Sequence, residues 1–167
     1  TTVRSVQKVN LTDKYTLAFV TGLDSTDKFP VISDPALLDL VQQQTFKYFW
    51  EYGHPVSGLA RERSNATPET ITTGGSGFGI MAIPVAISRG FINRAQGLSR
   101  LQTIVAFLQN KAQKYHGAFS HWLNGTTGAT IPFSQKDDGA DLVETSYLLA
   151  GLLTARQYFN GADAAET

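Results

Sequence analysis

The chain has 167 residues, and its 14 basic and 14 acidic side chains give a formal net charge of zero. This balance argues against nucleic acid as a partner, because neutralising phosphates needs a basic excess. The absence of cysteine excludes disulfides, thiolate metal sites and a cysteine nucleophile. No apolar run reaches the roughly 18 residues of a membrane span, so no membrane segment is predicted. The hydrophobic content of 42% is that of a folded domain.

The first 33 residues differ from the rest of the chain. Tyr15, Leu17 and Phe19 alternate with small or polar residues, which is the period of a strand. A weaker strand candidate runs from Val3 to Val9, with a turn-like segment between the two. Residues 1–33 are therefore predicted to form a β-hairpin and linker. Because a lone hairpin is marginally stable, we interpret it as the remnant of an N-terminal β-domain.

Residues 34–167 are predicted to form a mainly helical domain. Asp34 and Pro35 are typical of a helix start, with a carboxylate cap followed by proline. Asn93 can cap a later helix, and glycines end the segments. The apolar residues of the first helix cover most of its circumference, so both of its sides are expected to be buried. The predicted helices span about 34–52, 78–89, 93–114 and 139–159, with a short hairpin over 116–133 around Asn124-Gly125.

The segment 136–145 is the richest in chemistry, with four carboxylates within eight residues. If a helix begins near Asp138, then Asp141 and Glu144 share one face, and Tyr147 lies one turn further on. Crowded carboxylates raise each other's pKa, which can keep a general acid protonated near neutral pH. The alternative is that these acids only cap the helix and complement its dipole. Glu144 lies a full turn into the helix, where a plain core helix would carry an apolar residue.

The loop 53–63 contains His54, Arg61 and Arg63, which can present hydrogen-bond donors to sugar hydroxyls or a carboxylate. The alternative is a solvated loop held by weak ion pairs. The glycine-rich segment 72–79 has the composition of a phosphate cradle, but it lacks the lysine of a P-loop. Close approach of the backbone to a neutral ligand or to a neighbouring helix is favoured there.

His121 and Trp122 lie in an aromatic stretch that suits the C–H faces of sugars. His116 and His121 are five residues apart in a predicted strand or loop, which is poor spacing for metal ligands, so no metal site is predicted. No cofactor motif is present either. The residues together favour a carbohydrate site on a helical scaffold.

The ordered motifs between Asp34 and Phe159 resemble the bacterial glucoamylase-like family (glycoside hydrolase family 144), which includes endo-β-1,2-glucanases. The resemblance rests on GHPVSGLARER at 53–63, TTGGSGFG at 72–79, HWLNG at 121–125, IPF at 131–133 and KDDGADLVET at 136–145. It implies an (α/α)6 barrel, a periplasmic or secreted enzyme, and inverting hydrolysis of β-1,2-linked glucose chains.

The resemblance also implies the residues of the site. Asp137, Asp141 and Glu144 match acidic positions of the family's cleft and are the predicted catalytic residues. The predicted substrate-binding residues, taken from the same motifs and loops, are His54, Arg61, Arg63, His121, Trp122, Asp138 and Tyr147.

The length departs from the family pattern. Twelve helices with their loops need at least ~200 residues, and only four helices are predicted here. We therefore interpret the chain as the N-terminal part of a glycosidase, an incomplete barrel whose activity would depend on further residues. Its unclosed ring would expose apolar helix faces and favour a homodimer or a swapped oligomer. The alternatives are a non-catalytic carbohydrate-binding remnant and a helical interaction module whose acids are only caps.

Overall fold

The computed structural model describes residues 6–8, 10, 13, 16–161 and 166, and the chain divides into two compact units, 1–32 and 33–167. Residues 16–33 contain no strand, although the alternation of Leu17 and Phe19 predicted one. Both side chains are exposed, and an alternating segment forms a strand only where a partner strand pairs with it. The other predicted strand, Val3 to Val9, falls mainly outside the described residues.

The four predicted helices are present in the second unit. They are α1 (Asp34–Trp50), α2 (Thr73–Ser88), α3 (Arg94–Asn110) and α4 (Leu142–Tyr158). The predicted cap at Asn93 is confirmed, because its side chain accepts the backbone N–H of Gln96 and the Gln96 side chain accepts the N–H of Asn93. Asp34 does not cap α1 as expected; it is the first helical residue, and Ser33 occupies the cap position.

Helix α2 begins five residues earlier than the sequence predicted, so the glycine-rich segment is helical. Its glycines are needed because α2 packs very closely against α4. A Cβ atom at Gly77 would overlap the backbone carbonyl of Tyr147, and one at Gly151 would overlap the carbonyl of Gly77. A Cβ atom at Gly74 would overlap the side-chain carboxylate of Glu144. This order of contacts makes α2 and α4 parallel, with their N-termini at one end.

Helix α1 runs antiparallel to α2. Asp39 near its start pairs with Arg89 just beyond α2, at 2.7 Å, and the Phe49 ring near its end lies against Gly79. The prediction that α1 is buried on both sides is wrong for its first half, where four apolar side chains are about half exposed: Leu37, Leu38, Leu40 and Val41. Within the described residues, α2 covers one side of α1 and leaves the other open.

The strands are short and lie beside the N-termini of α2 and α4. They are β1 (Thr70–Thr72), β2 (Lys114–Tyr115), β3 (Ala118–Phe119), β4 (Trp122–Asn124) and β5 (Thr130–Ile131). The order β1-β4-β5 forms an antiparallel sheet, so the predicted hairpin is present as β4 and β5 and gains β1 from the loop before α2. Ile71 opposite Leu123 is fully buried in the core, whereas Thr72 opposite Trp122 lies on the other face of the sheet.

Candidate functional site

Glu144 links the two helix N-termini. Its Oε2 accepts the backbone N–H of Gly74 at 2.8 Å, in the first turn of α2. Thr72, the residue at the cap position of α2, forms no side-chain cap, so a carboxylate from α4 satisfies an N–H that would otherwise be unpaired. Gly74 makes this contact possible, because a Cβ there would overlap the carboxylate.

Asp141 caps α4 and contacts a histidine. Its Oδ1 accepts the N–H groups of Val143 and Glu144 at 2.9 and 3.0 Å, and its Oδ2 lies 3.4 Å from Nδ1 of His121. The capping alternative considered for the acidic segment therefore holds for this residue. Its other oxygen, Oδ2, is directed at His121, the residue that precedes β4.

Three rings form a cluster, which we call the aromatic platform: His121, Trp122 and Phe133. The ring centroids of Trp122 and Phe133 are 4.6 Å apart, and that of His121 is 4.9 Å from Phe133 and 5.4 Å from Trp122. Phe133 is half exposed. Such rings offer an apolar surface to the C–H face of a sugar. Two predicted residues, His121 and Trp122, are thus brought beside Asp141.

Glu62 lies in the same region as the aromatic platform, although it was not among the predicted site residues. Its side chain is 17% exposed and accepts from Nη2 of Arg63 at 2.7 Å. Burial alone would raise the pKa of Glu62, but Arg63, the Trp122 indole N–H and Thr72 together hold that pKa below its ordinary value. The Trp122 N–H is buried close to this carboxylate without reaching hydrogen-bond geometry. Glu62 lies within the motif at 53–63, but the motif does not show that its side chain reaches Trp122, since that depends on a pairing with β1.

His54, which was predicted to bind substrate, is buried in the loop that follows α1. It is 2% exposed, its Nδ1 accepts from the N–H groups of Val56 and Ser57 at 3.3 and 3.4 Å, and its Nε2 lies 3.3 Å from Glu69. Burial lowers the pKa of His54, and Arg61 lowers it further, against the opposing effect of Glu69. His54 therefore holds the loop that follows α1.

Arg61 lies on the opposite face of the sheet from the aromatic platform. It pairs with Ile71 across the strands, whereas Trp122 pairs with the next residue, Thr72, and successive residues of a strand point to opposite faces. Its guanidinium covers the Tyr52 ring at 4.8 Å. The structure thus separates Arg61 from Trp122, and Arg63 is the arginine that reaches the platform side through Glu62.

The remaining predicted residues fall into two groups. Asp137 and Asp138 are exposed in the segment before α4, which begins at Leu142. They hold that segment through their backbone carbonyls, which accept from Phe133 at 2.8 Å and from the Tyr115 hydroxyl at 3.0 Å respectively. Tyr147 is half exposed one turn beyond Glu144 and stacks on Phe78 at 5.1 Å.

Across the described residues, no group of three or more histidine, aspartate or glutamate side chains is placed to hold a metal ion. In the same part of the chain, no helix is long and apolar enough to cross a membrane.

Two helix N-termini with carboxylates beside an aromatic platform form the candidate site at this end of the molecule. No family model matches the chain. It is, however, 55% identical over 137 residues to the exo-β-1,2-glucooligosaccharide sophorohydrolase (non-reducing end) of Parabacteroides distasonis. The aligned segment covers 81% of this chain and 19% of that protein.

Solved structures agree with this match. A protein of Bacteroides uniformis, provisionally named a glucoamylase, is 55% identical with a TM-score of 0.80, over 83% of this chain and 34% of that one. The endo-β-1,2-glucanase of Chitinophaga pinensis, solved with sophorotriose and glucose, is 49% identical with a TM-score of 0.78, over 81% and 34%. The resemblance predicted from the motifs is confirmed over this segment, and the chain spans about a fifth to a third of the length of these relatives.

Proposed function

We propose that this chain supplies part of the active site of a glycoside hydrolase that cleaves β-1,2-linked glucans. The observation that carries the proposal is the 55% identity to a sophorohydrolase over most of the chain. The site geometry supports it, because Glu144, Asp141 and the aromatic platform lie at one end of the helices, where a sugar chain can lie against the rings.

Glu144 is the carboxylate that we assign to the chemistry in this proposal. It contacts Gly74 through Oε2, which leaves Oε1 for substrate or water. Both oxygens of Asp141 are engaged, one by the start of α4 and one by His121, so Asp141 orients this region. Inverting hydrolysis needs an acid and a base roughly 6.5–9.5 Å apart across the scissile bond. Glu144 and Asp141 are neighbours at one helix end, so we assign the second group to the part of the relatives that this chain does not span.

Release of reducing sugar from linear β-1,2-glucan by the purified chain tests this proposal, with starch as the second substrate. Turnover that disappears in Glu144→Gln and persists in Glu51→Gln, an exposed glutamate after α1, would support it. If the chain is inactive alone, the same pair of substitutions is made at the matching positions of a full-length relative. Equal activity of the two variants would contradict the role of Glu144.

Non-catalytic binding of the glucan is the second candidate. It is favoured by the capping contacts of both Glu144 and Asp141, which give each carboxylate a structural purpose. Binding of a β-1,2-linked trisaccharide that is lost in Trp122→Ala, without any turnover in the chain or in the substituted relative, would select it. Unchanged affinity in Trp122→Ala would contradict both candidates.

The proposal extends to location and assembly. We place the protein in the periplasm or outside the cell, on the basis of the family resemblance alone. We also propose a homodimer or swapped oligomer through the exposed helix faces. Fractionation of the source bacterium tests the first, and the concentration dependence of the molar mass tests the second.

A further inference from the structure

The register of the strands places Glu62 beside Trp122. The N–H of Glu62 donates to the carbonyl of Thr70 at 3.1 Å, and that of Thr72 donates to the carbonyl of Ala60 at 3.0 Å, so residues 60–62 pair with β1 on the side away from β4. Glu62 therefore opposes Thr70, and Trp122 opposes Thr72. Residues two apart along a strand share one face, which puts Glu62 and Trp122 diagonally across β1 on the same face.

The polar group of Trp122 at this face is its indole N–H. The indole N–H of Trp122 is buried and forms no hydrogen bond with the described residues. Its ring packs against Phe133 with the centroids 4.6 Å apart, and the indole N–H lies near enough to the Glu62 carboxylate to lower the pKa of that group. Arg63 holds that carboxylate from the other side at 2.7 Å. The lowered pKa of Glu62, to which Trp122 contributes, keeps the carboxyl in the accepting, ionised form at neutral pH.

We infer that Glu62 is a positioning residue for the sugar-binding surface: its carboxylate accepts the Trp122 indole N–H and so fixes the angle of the aromatic platform against which a saccharide lies. This inference rests on the proposed function for the identity of the ligand. The contact between Glu62 and Trp122 is independent of it and can be measured without sugar.

The first measurement is the indole N–H resonance of Trp122 in an ¹⁵N-correlated NMR spectrum, assigned with Trp122→Phe. Glu62→Met keeps the length of the side chain and removes the acceptor, so the resonance should move upfield, whereas Glu62→Gln keeps an accepting oxygen and should leave the resonance near its original position. Glu51→Met, at an exposed position, is the matched control. If Glu62→Met unfolds the chain, Glu62→Ala replaces it. A resonance that moves no more in Glu62→Met than in Glu51→Met overturns the inference.

The second measurement is calorimetric binding of a linear β-1,2-linked glucose trisaccharide. Glu62→Met should weaken binding roughly three- to tenfold, which is the worth of an oriented aromatic contact, and Glu62→Gln should restore most of the affinity. Affinity that is equal in the original chain and in Glu62→Met overturns the positioning role. A chain that binds no trisaccharide, while the indole resonance still responds to Glu62→Met, contradicts the proposed function and supports the Glu62–Trp122 contact.

Discussion

At the scale of single residues, Asp141 and Glu144 each hydrogen-bond to a helix N-terminus at this end of the molecule. Asp141 caps α4 with one oxygen and faces His121 with the other, and Glu144 uses one oxygen to satisfy the first turn of α2. A hydrogen bond between a carboxylate and a helix N-terminus holds the side chain in one orientation. The capping that first argued against a functional role is thus also the means by which Glu144 would be pre-organised.

His54 predicts how stability depends on pH. Burial lowers its pKa in the folded chain, while the unfolded chain titrates near 6.5, so the unfolded state binds more protons below that pH. The free energy of unfolding should therefore fall as the pH falls from about 7.5 to about 5. Glu69 opposes the shift and Arg61 reinforces it.

Urea unfolding of His54→Asn across this pH range measures the effect. The variant should be less stable at neutral pH, and its stability should change less with pH than that of the original chain. His116→Asn is the control, because His116 is exposed and its left-handed backbone suits asparagine. Equal pH slopes for the two variants would show that His54 does not carry the dependence.

Residue types alone could identify the region of the site but not its members. His121, Trp122, Asp141 and Glu144 were predicted and are brought together, because each lies within a few residues of a strong local signal. His54 was predicted to bind substrate and is buried, since a histidine in a loop carries no mark of which face the loop turns inward. Glu62 was missed because its neighbour Trp122 is reached only across β1.

At the scale of elements, the contact between α2 and α4 decides the geometry of the site. The two helices approach so closely that Gly77 and Gly151 lie against each other's backbone, and this approach brings Gly74 to Glu144. The sequence predicted four helices correctly, and it also favoured close backbone approach at the glycines. It could not predict that the glycines belong to the helix, since glycine lowers helix propensity and only the packing against α4 compensates.

Gly77→Ala should destabilise the chain by about 2 kcal/mol, because the new methyl group meets a backbone carbonyl that cannot move away as a side chain can. The measurement is urea unfolding followed by circular dichroism. Gly139→Ala is the control, since a Cβ at Gly139 meets no atom within 4 Å. A Gly77→Ala chain as stable as Gly139→Ala would mean that the two helices are not held at this distance.

At the scale of the whole molecule, the described residues form one parallel helix pair, α2 with α4, and one antiparallel pair, α1 with α2. The N-terminal half of α1 and the outer side of α4 carry half-exposed leucines and valines, although the composition is that of a well-buried domain. The matched segment makes up 34% of the Bacteroides uniformis protein and 19% of the Parabacteroides distasonis protein. The apolar pattern of α1 predicted burial on both sides, and the described residues cover only one side of its first half.

Self-association follows if these faces are free in solution. Leu38 on α1 and Leu153 on α4 are 60% and 61% exposed, and burying a leucine contributes about 1.5–3 kcal/mol. Sedimentation velocity should therefore show a molar mass that rises with protein concentration. Leu38→Gln combined with Leu153→Gln should weaken association by roughly tenfold or more, whereas Gln43→Ser, at an exposed polar position of α1, should not. A chain that stays monomeric at every concentration would mean that the apolar faces do not pair with a second copy, and the oligomer would have to be abandoned while the site geometry stands.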